Sequence, residues 1–423
     1  MHNIVILGAG FGGLRSALRL SKKLKRKSEY KIILVDQNSY QTYTPSLYEV
    51  ATAYRGRALR TDATELDFEE NLANSSCFSL STVLARHKNI QFLKDKISNI
   101  LLDAKTIEFV SGNAVSYEYC IVALGAQNAF YGIKGADTCC HTLKTLPEAL
   151  GIRHKVESAF SKAINENKQV NLITIGAGLS GFEVVAEMAK HVAHLCSAHN
   201  NFDRNKVNIK LLEAESEILK GVPARMRSLA RKRLKQLGVE VLLNTKVNRI
   251  EEDKIILNDN TQILADVSIW SGGVAGLDLF KKIGALPLEE YNGRISVDNK
   301  LQVVGQRGIF AIGDSSYFFD QASSRSVPAT AWAAEQQADV VVENIQRLIH
   351  GDSMMDYEMR FPGFVSSAGG KYAIASLYGI TFSGYKAWVV KRLIDLKYIL
   401  SIYPFFNGLG VWFKELDLWT RND

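Results

Sequence analysis

A glycine-rich turn between a short apolar strand and a helix occurs twice in this chain of 423 residues. The first copy, GAGFGG at residues 8–13, follows an apolar run at residues 4–7, and the second, GAGLSG at residues 176–181, follows residues 171–175. Glycines at these spacings permit a tight turn and let backbone N–H groups at a helix N-terminus approach a pyrophosphate. One copy is weak evidence, but two copies with the same surroundings predict two dinucleotide-binding folds.

Each glycine turn is followed by a second predicted strand that ends at an acidic residue. The strand at residues 31–35 leads to Asp36, and the strand at residues 207–212 leads to Glu213. A carboxylate at this position accepts hydrogen bonds from a ribose, and in the second fold it favours NADH over NADPH because it repels a 2′-phosphate. The longer gap between Gly181 and Glu213 leaves the use of NADPH open.

Two further apolar runs end in glycine. Residues 119–125, YCIVALG, predict a strand that closes the first fold, and GIFAIGDSS at residues 308–316 predicts another that ends at Gly313 and Asp314. Asp314 has two interpretations from the residues alone, a helix cap or a carboxylate that binds a flavin ribityl hydroxyl.

Composition excludes several classes of protein. The apolar fraction of 47% is that of an ordinary globular chain, and the net charge of +7 is not organised into a nucleic-acid-reading motif. The N-terminus lacks a basic region and a cleavage site, so we expect no export signal. The chain has five cysteines at irregular spacing and none beyond Cys196, which predicts reduced thiols in a cytoplasmic setting.

A histidine-rich segment raises the question of a metal site. His191, His194, Cys196 and His199 lie close together in sequence, but no second ligand pair follows them. A helix end that runs into a polar loop explains the segment as well, and we predict no metal.

The C-terminal residues 385–413 are rich in aromatic and branched side chains. An apolar stripe recurs at helical spacing, whereas several charged residues fall off that stripe. The stripe consists of Tyr385, Val389, Leu393, Leu396, Leu400 and Tyr403, and the off-stripe charges are Lys386, Lys391, Asp395 and Lys397. The uncharged run at residues 398–413 is shorter than the roughly 20 residues that cross a bilayer, and Pro404 interrupts it. Two interpretations remain, a helix packed on the core and a helix that lies in a membrane interface.

Together these motifs resemble the flavoproteins with two dinucleotide-binding domains, and within them the type II NADH dehydrogenases (NADH:quinone oxidoreductases). The resemblance covers nearly the whole chain. Besides the two glycine turns and Asp36, it rests on PSLYEVAT at 45–52, ALG at 123–125, LKT at 143–145, FEVVAEM at 182–188, LLEAESEIL at 211–219, IWSGGV at 269–274, AIGD at 311–314 and GKYAIASLYGITFSGYKAWVVKRL at 370–393.

The resemblance implies an α/β fold with two Rossmann-like, glutathione-reductase-like domains and a C-terminal membrane-associating segment. It implies an FAD-binding domain at residues 1–145 and 280–345, an NADH-binding domain at 146–279 and a membrane-docking region at 346–423. The implied activity is hydride transfer from NADH to FAD and transfer of two electrons to a membrane quinone, without proton pumping.

The implied cofactor contacts fall into two groups. Those for FAD are Gly8, Ala9, Gly10, Phe11, Gly12, Gly13, Asp36, Gln37, Ala123, Leu124, Gly125, Gly313 and Asp314. Those for NADH are Gly176, Gly178, Leu179, Ser180, Gly181, Glu213 and Gly273.

Four further residues carry implied roles in electron and proton transfer. Glu183 matches a family glutamate near the flavin and the nicotinamide, and Lys371 matches a basic residue that the family places within reach of it. Such a pair can pass protons to a reduced quinone if burial brings the pKa values toward neutrality. Gln336 matches the second of two family glutamines near the quinone, but Trp332 replaces the first, which leaves the acceptor open between a quinone and another oxidant.

The resemblance also implies an environment. We expect a peripheral protein on the cytoplasmic face of the inner (plasma) membrane, in contact with anionic lipid and quinone but not with nucleic acid, and the sequence leaves open whether it forms a homodimer. The alternatives are a membrane-associated FAD and NADH sensor that resembles apoptosis-inducing factor and a pyridine nucleotide reductase with a non-quinone acceptor.

Overall fold

The computed structural model describes residues 2–27, 29–58, 64–199, 202–321 and 324–422. The chain divides into two compact units. Unit 1 comprises Met1–Gln41, Phe78–Ala129 and Val274–Phe361, and unit 2 comprises Thr42–Cys77, Phe130–Gly273 and Pro362–Asp423. Residues 42–77 and the C-terminal residues from Pro362 onward lie in the same unit as the second glycine turn, and the predicted domain boundaries stay a prediction.

The helices of the described residues are numbered in chain order. They are α1 Phe11–Lys23, α2 Leu47–Ala51, α3 Arg55–Ala58, α4 Glu65–Ser76, α5 Leu80–Leu84, α6 Leu146–Glu166, α7 Leu179–Ala198, α8 Ala224–Gln236, α9 Asp278–Lys282, α10 Ala331–His350, α11 Tyr385–Ile402 and α12 Phe405–Asn422.

The strands are numbered in the same way. They are β1 His2–Leu7, β2 Tyr30–Asp36, β3 Tyr40–Thr42, β4 Cys77–Ser79, β5 Ile90–Lys94, β6 Ile97–Leu101, β7 Thr106–Phe109, β8 Ala114–Ser116, β9 Tyr119–Val122, β10 Gln127–Asn128, β11 Val170–Ile175, β12 Val207–Leu212, β13 Glu240–Leu242, β14 Val247–Ile250, β15 Lys254–Leu257, β16 Gln262–Leu264, β17 Val267–Trp270, β18 Val274–Ala275, β19 Ile295–Ser296, β20 Ile309–Ala311, β21 Ser316–Tyr317, β22 Phe319–Asp320, β23 Arg325–Ser326, β24 Gly363–Ser367, β25 Ala373–Leu377 and β26 Ile380–Gly384.

Unit 1 is built on a parallel five-stranded sheet with the strand order β20-β9-β1-β2-β5. The first glycine turn joins β1 to α1, and β1 lies in the middle of the sheet because its residues 4–7 are fully buried. Helix α1 packs against α10, where Arg15 makes a bidentate ion pair with Asp339 through N–O distances of 2.6 and 2.7 Å.

Unit 2 repeats this arrangement on a smaller parallel sheet with the order β13-β12-β11-β17. The second glycine turn joins β11 to α7, and the strand after the helix again pairs with the strand before it. Helix α6 leads into β11 and begins with a capping box, in which Thr145 accepts from the Glu148 N–H while the Glu148 carboxylate accepts from the Thr145 N–H. The two predicted strand–turn–helix–strand repeats are therefore present, one in each unit.

The C-terminal residues form an antiparallel sheet, β24-β25-β26, followed by α11 and α12. The apolar stripe was expected to extend along one helix to Tyr403, but α11 ends at Ile402 because Pro404 cannot continue it. Helix α12 then runs back along α11. Trp412 Nε1 donates to the Arg392 carbonyl at 2.9 Å, and Gly408 packs against Leu400. None of the helices in the described residues has the length and apolar character needed to cross a membrane.

The face that α11 buries is not the predicted one. Lys391 and Asp395 were expected on the outer, polar face, yet they are 6% and 5% exposed. Tyr385 and Leu393, members of the apolar stripe, are 61% and 51% exposed. The expectation was wrong because Asp395 forms an ion pair with the equally buried Arg392, so that these charges pack inward beside Trp388 while Tyr385 and Leu393 remain outside.

This inversion predicts different outcomes for two lysines of α11 that lie five positions apart in the chain. Lys391→Glu places a carboxylate among buried acids and should lower the free energy of unfolding by roughly 3 kcal/mol or more. Lys386→Glu changes an exposed residue of the same helix and should shift it by less than about 0.5 kcal/mol. Urea unfolding of both variants measures the difference, and equal destabilisation would contradict the buried position of Lys391.

Candidate functional site

The first glycine turn is closed by contacts that no larger residue allows. Gly8 has φ +95°, and a Cβ on it would lie 2.3 Å from the Ala123 carbonyl oxygen. A Cβ on Gly13 would lie 1.9 Å from the Gly8 oxygen. At Gly10, by contrast, a Cβ would meet nothing within 4 Å among the described residues. The turn is therefore tightly packed at both ends and open at its middle glycine, where a pyrophosphate approaches the backbone in dinucleotide-binding folds.

The side-chain carboxylate of Asp36 holds the backbone of this turn in place. Its Oδ2 accepts from the Ala9 N–H at 2.7 Å and its Oδ1 accepts from the Asn38 N–H at 2.8 Å. Burial raises the pKa of Asp36 above its usual value, although these backbone hydrogen bonds oppose the shift. A carboxylate offers about four acceptor positions, so both oxygens can still accept from a ribose hydroxyl.

The second glycine turn has the same geometry in unit 2. Gly176 has φ +98°, a Cβ on Gly181 would lie 2.0 Å from the Gly176 oxygen, and a Cβ on Gly178 would meet nothing within 4 Å in the described chain. Glu213 takes the place of Asp36, because its Oε2 accepts from the Ala177 N–H at 2.7 Å. The structure thus repeats not only the sequence motif but also the hydrogen bond from acid to turn.

Both turns fit the phosphates of a dinucleotide. Helices α1 and α7 begin directly after Gly10 and Gly178, and neither glycine supplies a side-chain cap to the first-turn N–H groups. Such N–H groups and the helix dipole favour an anion. Residues Phe11, Leu179 and Ser180 are the first residues of these helices, and the open space at the two glycines lies beside them.

The other predicted FAD contacts in unit 1 gather at the carboxyl ends of the parallel strands. Ala123 and Leu124 follow β9 and lie against Gly8, while Gln37 follows β2. Gly125 and the Gly313–Ser315 turn are joined by a hydrogen bond from Ser315 Oγ to the Gly125 carbonyl at 3.0 Å. Ligands of open α/β folds bind at this edge.

Asp314 is held by its main chain, as Arg294 Nε donates to its carbonyl oxygen at 2.8 Å. The Gly313 N–H donates to Gln337 Oε1 at 2.6 Å. In unit 2, Gly273 has φ +134°, and a Cβ on it would lie 2.5 Å from the Tyr131 hydroxyl. The cofactor roles of these residues stay predictions.

The predicted quinone contacts are both engaged with one stretch of main chain in unit 1. Trp332 Nε1 donates to the Arg360 carbonyl at 2.9 Å, and the Gln336 amide donates to the same carbonyl and accepts from the Arg360 N–H at 3.1 Å. Trp332 and Gln336 lie one turn apart on α10, and both side chains form hydrogen bonds with the Arg360 main chain. Their quinone role stays a prediction, and it would require a change of these hydrogen bonds.

Glu183 lies in the second turn of α7, close to the second glycine turn. Its Oε1 accepts from the Ser367 N–H at 3.1 Å. Burial raises the pKa of Glu183 to about 7, while the charge of Lys391 and hydrogen bonds from Ser367 and Ser366 act in the opposite direction. Both protonation states are therefore accessible near neutral pH, as proton transfer requires.

The structure gives a second lysine, Lys391, whose charge acts on the pKa of Glu183. Lys371 is exposed in the turn between β24 and β25. Lys391 is buried on α11, and its ammonium lies 5.2 Å from the centre of the Tyr48 ring. Sequence reasoning missed Lys391 because an amphipathic pattern assigned it to solvent. The Glu183–Lys371 pair stays a prediction, and the positive charge of Lys391 lowers the pKa of Glu183.

A buried ionic network surrounds Lys391 and was also missed. Arg392 Nη2 donates to Glu49 Oε1 at 2.5 Å, and its Nη1 donates to Asp395 Oδ2 at 3.3 Å. The Tyr43 hydroxyl donates to Asp395 Oδ1 at 2.7 Å. Surrounding acids raise the pKa of the Arg392 guanidinium far above its usual value, so it stays charged. Glu49 was available to sequence reasoning, since it lies inside the quoted motif PSLYEVAT.

The histidine-rich segment does not gather ligands in one place. His191 and His194 are buried on α7, whereas His199 is exposed at its end, and burial lowers the pKa of His191 to about 3. Among the described residues, Glu65, Glu69 and His154 are the ones whose ligand atoms come within 4.8 Å of one another. Arg153 pairs with both glutamates, so this group is satisfied as an ion-pair cluster.

The contacts of Gly178 and Gly181 predict that alanine at one position affects NADH binding and at the other affects stability. Gly181→Ala forces a Cβ into the Gly176 oxygen and should destabilise the fold by roughly 1–3 kcal/mol. Gly178→Ala places its methyl in open space, so stability should be kept while the Kd for NADH rises roughly tenfold or more, about 1.4 kcal/mol. Thermal unfolding and NADH titration of the two variants test this. Unchanged NADH affinity in Gly178→Ala would contradict pyrophosphate binding at this turn.

Comparison with known proteins agrees with this geometry. A curated type II NADH:quinone oxidoreductase from Staphylococcus aureus is 28% identical over 97% of this chain and 98% of its own length. A structure of NDH2 from Plasmodium falciparum in complex with NADH matches with a TM-score of 0.83 at 19% identity and covers 99% of both chains. The sulfide:quinone oxidoreductase of Aquifex aeolicus matches with a TM-score of 0.75 at 21% identity, over 96% of this chain and 92% of that one.

These similarities confirm the predicted resemblance and the predicted α/β fold. The family model described as pyridine nucleotide-disulphide oxidoreductase matches residues 2–338, which include both glycine turns and the acids that close them. The chain belongs to the pyridine nucleotide-disulphide oxidoreductase family.

Proposed function

We propose that this chain is an FAD-dependent NADH:quinone oxidoreductase that works at a membrane surface. The observation that carries the proposal is the position of Glu183, a carboxyl with a pKa of about 7, on the helix that begins at the second glycine turn. A site for a dinucleotide and a group that exchanges protons at neutral pH are thereby joined in one helix. The full-length similarity to enzymes named for this reaction supports the same conclusion.

Each unit contributes a defined part. In unit 1, the turn at Gly10 and the carboxylate of Asp36 would hold the pyrophosphate and ribose of FAD. In unit 2, the turn at Gly178 and Glu213 would do the same for NADH, and the negative charge of Glu213 disfavours the 2′-phosphate of NADPH. Bound FAD would supply the redox chemistry, accepting a hydride from NADH and delivering two electrons to the quinone.

The protein itself would have to supply the proton that the reaction consumes. Oxidation of one NADH by one quinone consumes one proton from water, because the product quinol carries two and the nicotinamide delivers a hydride. Glu183 in its neutral form would donate this proton, and the positive charge of Lys391 would stabilise the carboxylate that remains. Lys391 thus takes the part that the resemblance assigned to Lys371.

The alternatives differ in what they require. A dithiol reductase needs a close cysteine pair near the first glycine turn, and residues 37–76 contain no cysteine. Sulfide:quinone oxidoreductases resemble this chain in fold, but their redox cysteines include one in the C-terminal half, and this chain has none beyond Cys196. A sensor that resembles apoptosis-inducing factor requires no turnover, and steady-state kinetics separates it from an enzyme.

The test is an assay of the purified protein with its FAD. We expect a yellow protein that oxidises NADH with a quinone over many turnovers and that prefers NADH to NADPH in kcat/KM. Glu213→Gln should reduce that preference, since it removes the negative charge. Bound FAD and NADH without turnover toward any quinone would instead favour the sensor.

The state of Glu183 predicts the dependence on pH. The neutral carboxyl is the donor, so it is present below pH 7 and lost as the pH rises through its pKa of about 7. Turnover with a quinone should therefore fall by up to about tenfold per pH unit above that value. Ferricyanide, which takes up electrons but no proton, should not show the decline. Glu183→Gln should lower quinone turnover at all pH values and remove the inflection, and an unchanged profile would contradict the assignment.

Apolar exposure on the C-terminal helices supports the membrane part of the proposal. Phe405 and Phe406 are 59% and 82% exposed at the corner between α11 and α12, and Phe413 is 59% exposed. Lys386 and Lys414 on the same two helices are exposed as well. Aromatic side chains beside basic groups suit the interface of an anionic bilayer. Trp388 on α11 does not belong to this exposed surface, because it is only 5% exposed and packs inside unit 2.

The cysteines support an assignment of the membrane face to which the protein would bind. All five are free thiols in the structure, which fits a reducing compartment, and we therefore assign the protein to the cytoplasmic face of the inner membrane.

Membrane docking through the helix corner predicts a specific loss. The double variant Phe405→Ser, Phe406→Ser should lower partitioning onto phosphatidylglycerol vesicles by roughly tenfold or more, because two exposed rings lose their burial in lipid. Tyr291→Ser, which removes an 81% exposed aromatic residue from unit 1, is the matched control and should bind like wild type. Vesicle co-sedimentation measures both. Equal binding of the double variant and wild type would rule out the corner as the docking element.

A further inference from the structure

Tyr48 of α2 is a buried side chain of unit 2 to which the reaction described so far gives no part. It is 2% exposed, so its hydroxyl is cut off from bulk water. The hydroxyl contacts Glu49 and Ser367, and the ring faces the Lys391 ammonium. Two of these partners, Ser367 and Lys391, act on Glu183. Tyr48 therefore contacts two of the groups that govern the proposed proton donor.

The hydroxyl of Tyr48 has a defined direction. It donates to Glu49 Oε1 at 2.9 Å, and the same oxygen accepts from Arg392 Nη2 at 2.5 Å. Burial and the charge of Glu49 raise the pKa of Tyr48 far above its usual value, so the hydroxyl keeps its proton. Because this proton points to Glu49, Ser367 Oγ is the donor in the 2.7 Å bond to the Tyr48 oxygen. The Glu49–Arg392 ion pair thus orients the hydroxyl that holds Ser367.

Ser367 is held by different partners through its side chain and its main chain. Its Oγ bonds Tyr48, whereas its N–H donates to Glu183 Oε1 at 3.1 Å. Ser367 is the last residue of β24, an edge strand that pairs with β25 on one side only. The end of an edge strand has one neighbouring strand to fix it, and the Tyr48 hydroxyl supplies a second attachment. The position of the N–H that Glu183 accepts from therefore depends on Tyr48.

The ring of Tyr48 faces the second group that acts on Glu183. The Lys391 ammonium lies 5.2 Å from the ring centre, a distance at which a cation is attracted to the π face. Lys391 is 6% exposed, so water screens its charge poorly. The charge of Lys391 and the Ser367 N–H both lower the pKa of Glu183 and oppose the effect of burial. One aromatic side chain thereby contacts both groups, through its hydroxyl and through its ring.

The remaining groups around Glu183 are few. The Ser366 hydroxyl of β24 also lowers the pKa of Glu183, whereas the negative charge of Glu49 on α2 raises it. Glu187, one turn further along α7, accepts from a main-chain N–H in the turn after β24. Of the strands that pack on α7, β11 has no charged side chain, and Lys210 on β12 forms an ion pair within its own sheet. The main groups that stabilise the Glu183 carboxylate are thus Lys391 and the serines of β24.

We propose that Tyr48 is a positioning residue of the reaction, which holds the Ser367 N–H and the Lys391 ammonium where both act on the Glu183 carboxyl. The inference rests on the proposed function, since it assumes that Glu183 gives its proton to a quinone. Tyr48 itself transfers no proton. It orients a hydrogen-bond donor through its hydroxyl and a cation through its ring, and both stabilise the carboxylate that remains after the proton has left.

Tyr48→Phe tests the role of the hydroxyl, because it keeps the ring and its packing. Ser367 then loses its attachment, its N–H bonds the Glu183 carboxylate less well, and the pKa of Glu183 rises. The decline of quinone turnover should move to higher pH by roughly half a unit to one unit of pH. Quinone turnover below pH 7 should fall by roughly twofold to fivefold, because a weaker acid donates its proton more slowly. Turnover with ferricyanide should stay within about twofold of wild type.

Two further variants test the hydroxyl and the ring separately. Ser367→Ala removes the hydroxyl but keeps the N–H, so it should shift the pH profile as Tyr48→Phe does. The double variant should shift it no further than either single change, since both remove the same hydrogen bond, and additive shifts would contradict the link. Tyr48→Leu also removes the ring from Lys391 and should move the decline to higher pH than Tyr48→Phe does.

Tyr372→Phe is the matched control. Tyr372 also donates to a serine, Ser383 Oγ at 3.0 Å, and its ring faces Arg233 at 4.3 Å, but none of these contacts involves Glu183. It should keep the wild-type pH profile. A purely structural role of Tyr48 predicts a lower melting temperature and equal losses with quinone and ferricyanide at an unchanged pH profile.

The possible outcomes separate the inference from the proposed function. Tyr48→Phe with the pH profile of wild type would overturn the inference alone, whatever its effect on thermal unfolding. Wild-type quinone turnover without a decline near pH 7 would remove Glu183 as the donor and the inference with it. Wild-type protein that reduces no quinone would overturn the proposed function.

Discussion

A hydrogen bond from the main chain of a glycine turn to the acid at the next strand end is the constraint on which both units depend. It joins Ala9 to Asp36 in unit 1 and Ala177 to Glu213 in unit 2, at 2.7 Å in each case. The bond fixes the turn against the neighbouring strand, and the close packing at Gly8 and Gly176 leaves no alternative path for the chain. The same carboxylate that shapes the turn then faces the place where a ribose would lie. Fold and ligand recognition therefore share one group.

Unit 2 adds a second constraint, a set of buried charges held by the C-terminal helices. Taking ions out of water is costly, and a chain keeps such ions inside only where they pair with one another. Arg392 meets this condition by bonding Glu49 and Asp395, which ties α11 to α2. Such an arrangement stabilises less than an apolar core of equal volume would. Burial in this unit raises the pKa of Glu183 to about 7, and the positive charge of Lys391 limits that rise.

The charges that α11 buries explain why its sequence pattern misleads. A helix that covers a core usually buries its apolar stripe, and a helix that lies on lipid directs the stripe outward. Helix α11 buries Lys391 and Asp395 together with Trp388 and Ile399, and it exposes Leu393. The periodicity of the sequence identifies the two faces of such a helix. It does not show which face is buried, because that depends on the side chains that pack against the helix in the core.

The sequence by itself determined both glycine turns, the strands around them and the acids Asp36 and Glu213 at the ends of the following strands. These features depend on residues close together in the chain and on backbone geometry that only glycine permits. Only the tertiary structure decided that the charge of Lys391 acts on Glu183, that Gln336 is bonded to the Arg360 main chain, and that Glu49, Arg392 and Asp395 meet in one cluster. Glu49 and Arg392 are 343 positions apart in the chain. Their pairing arises from the packing of distant helices, and local sequence patterns carry no information about which buried charges such packing brings into contact.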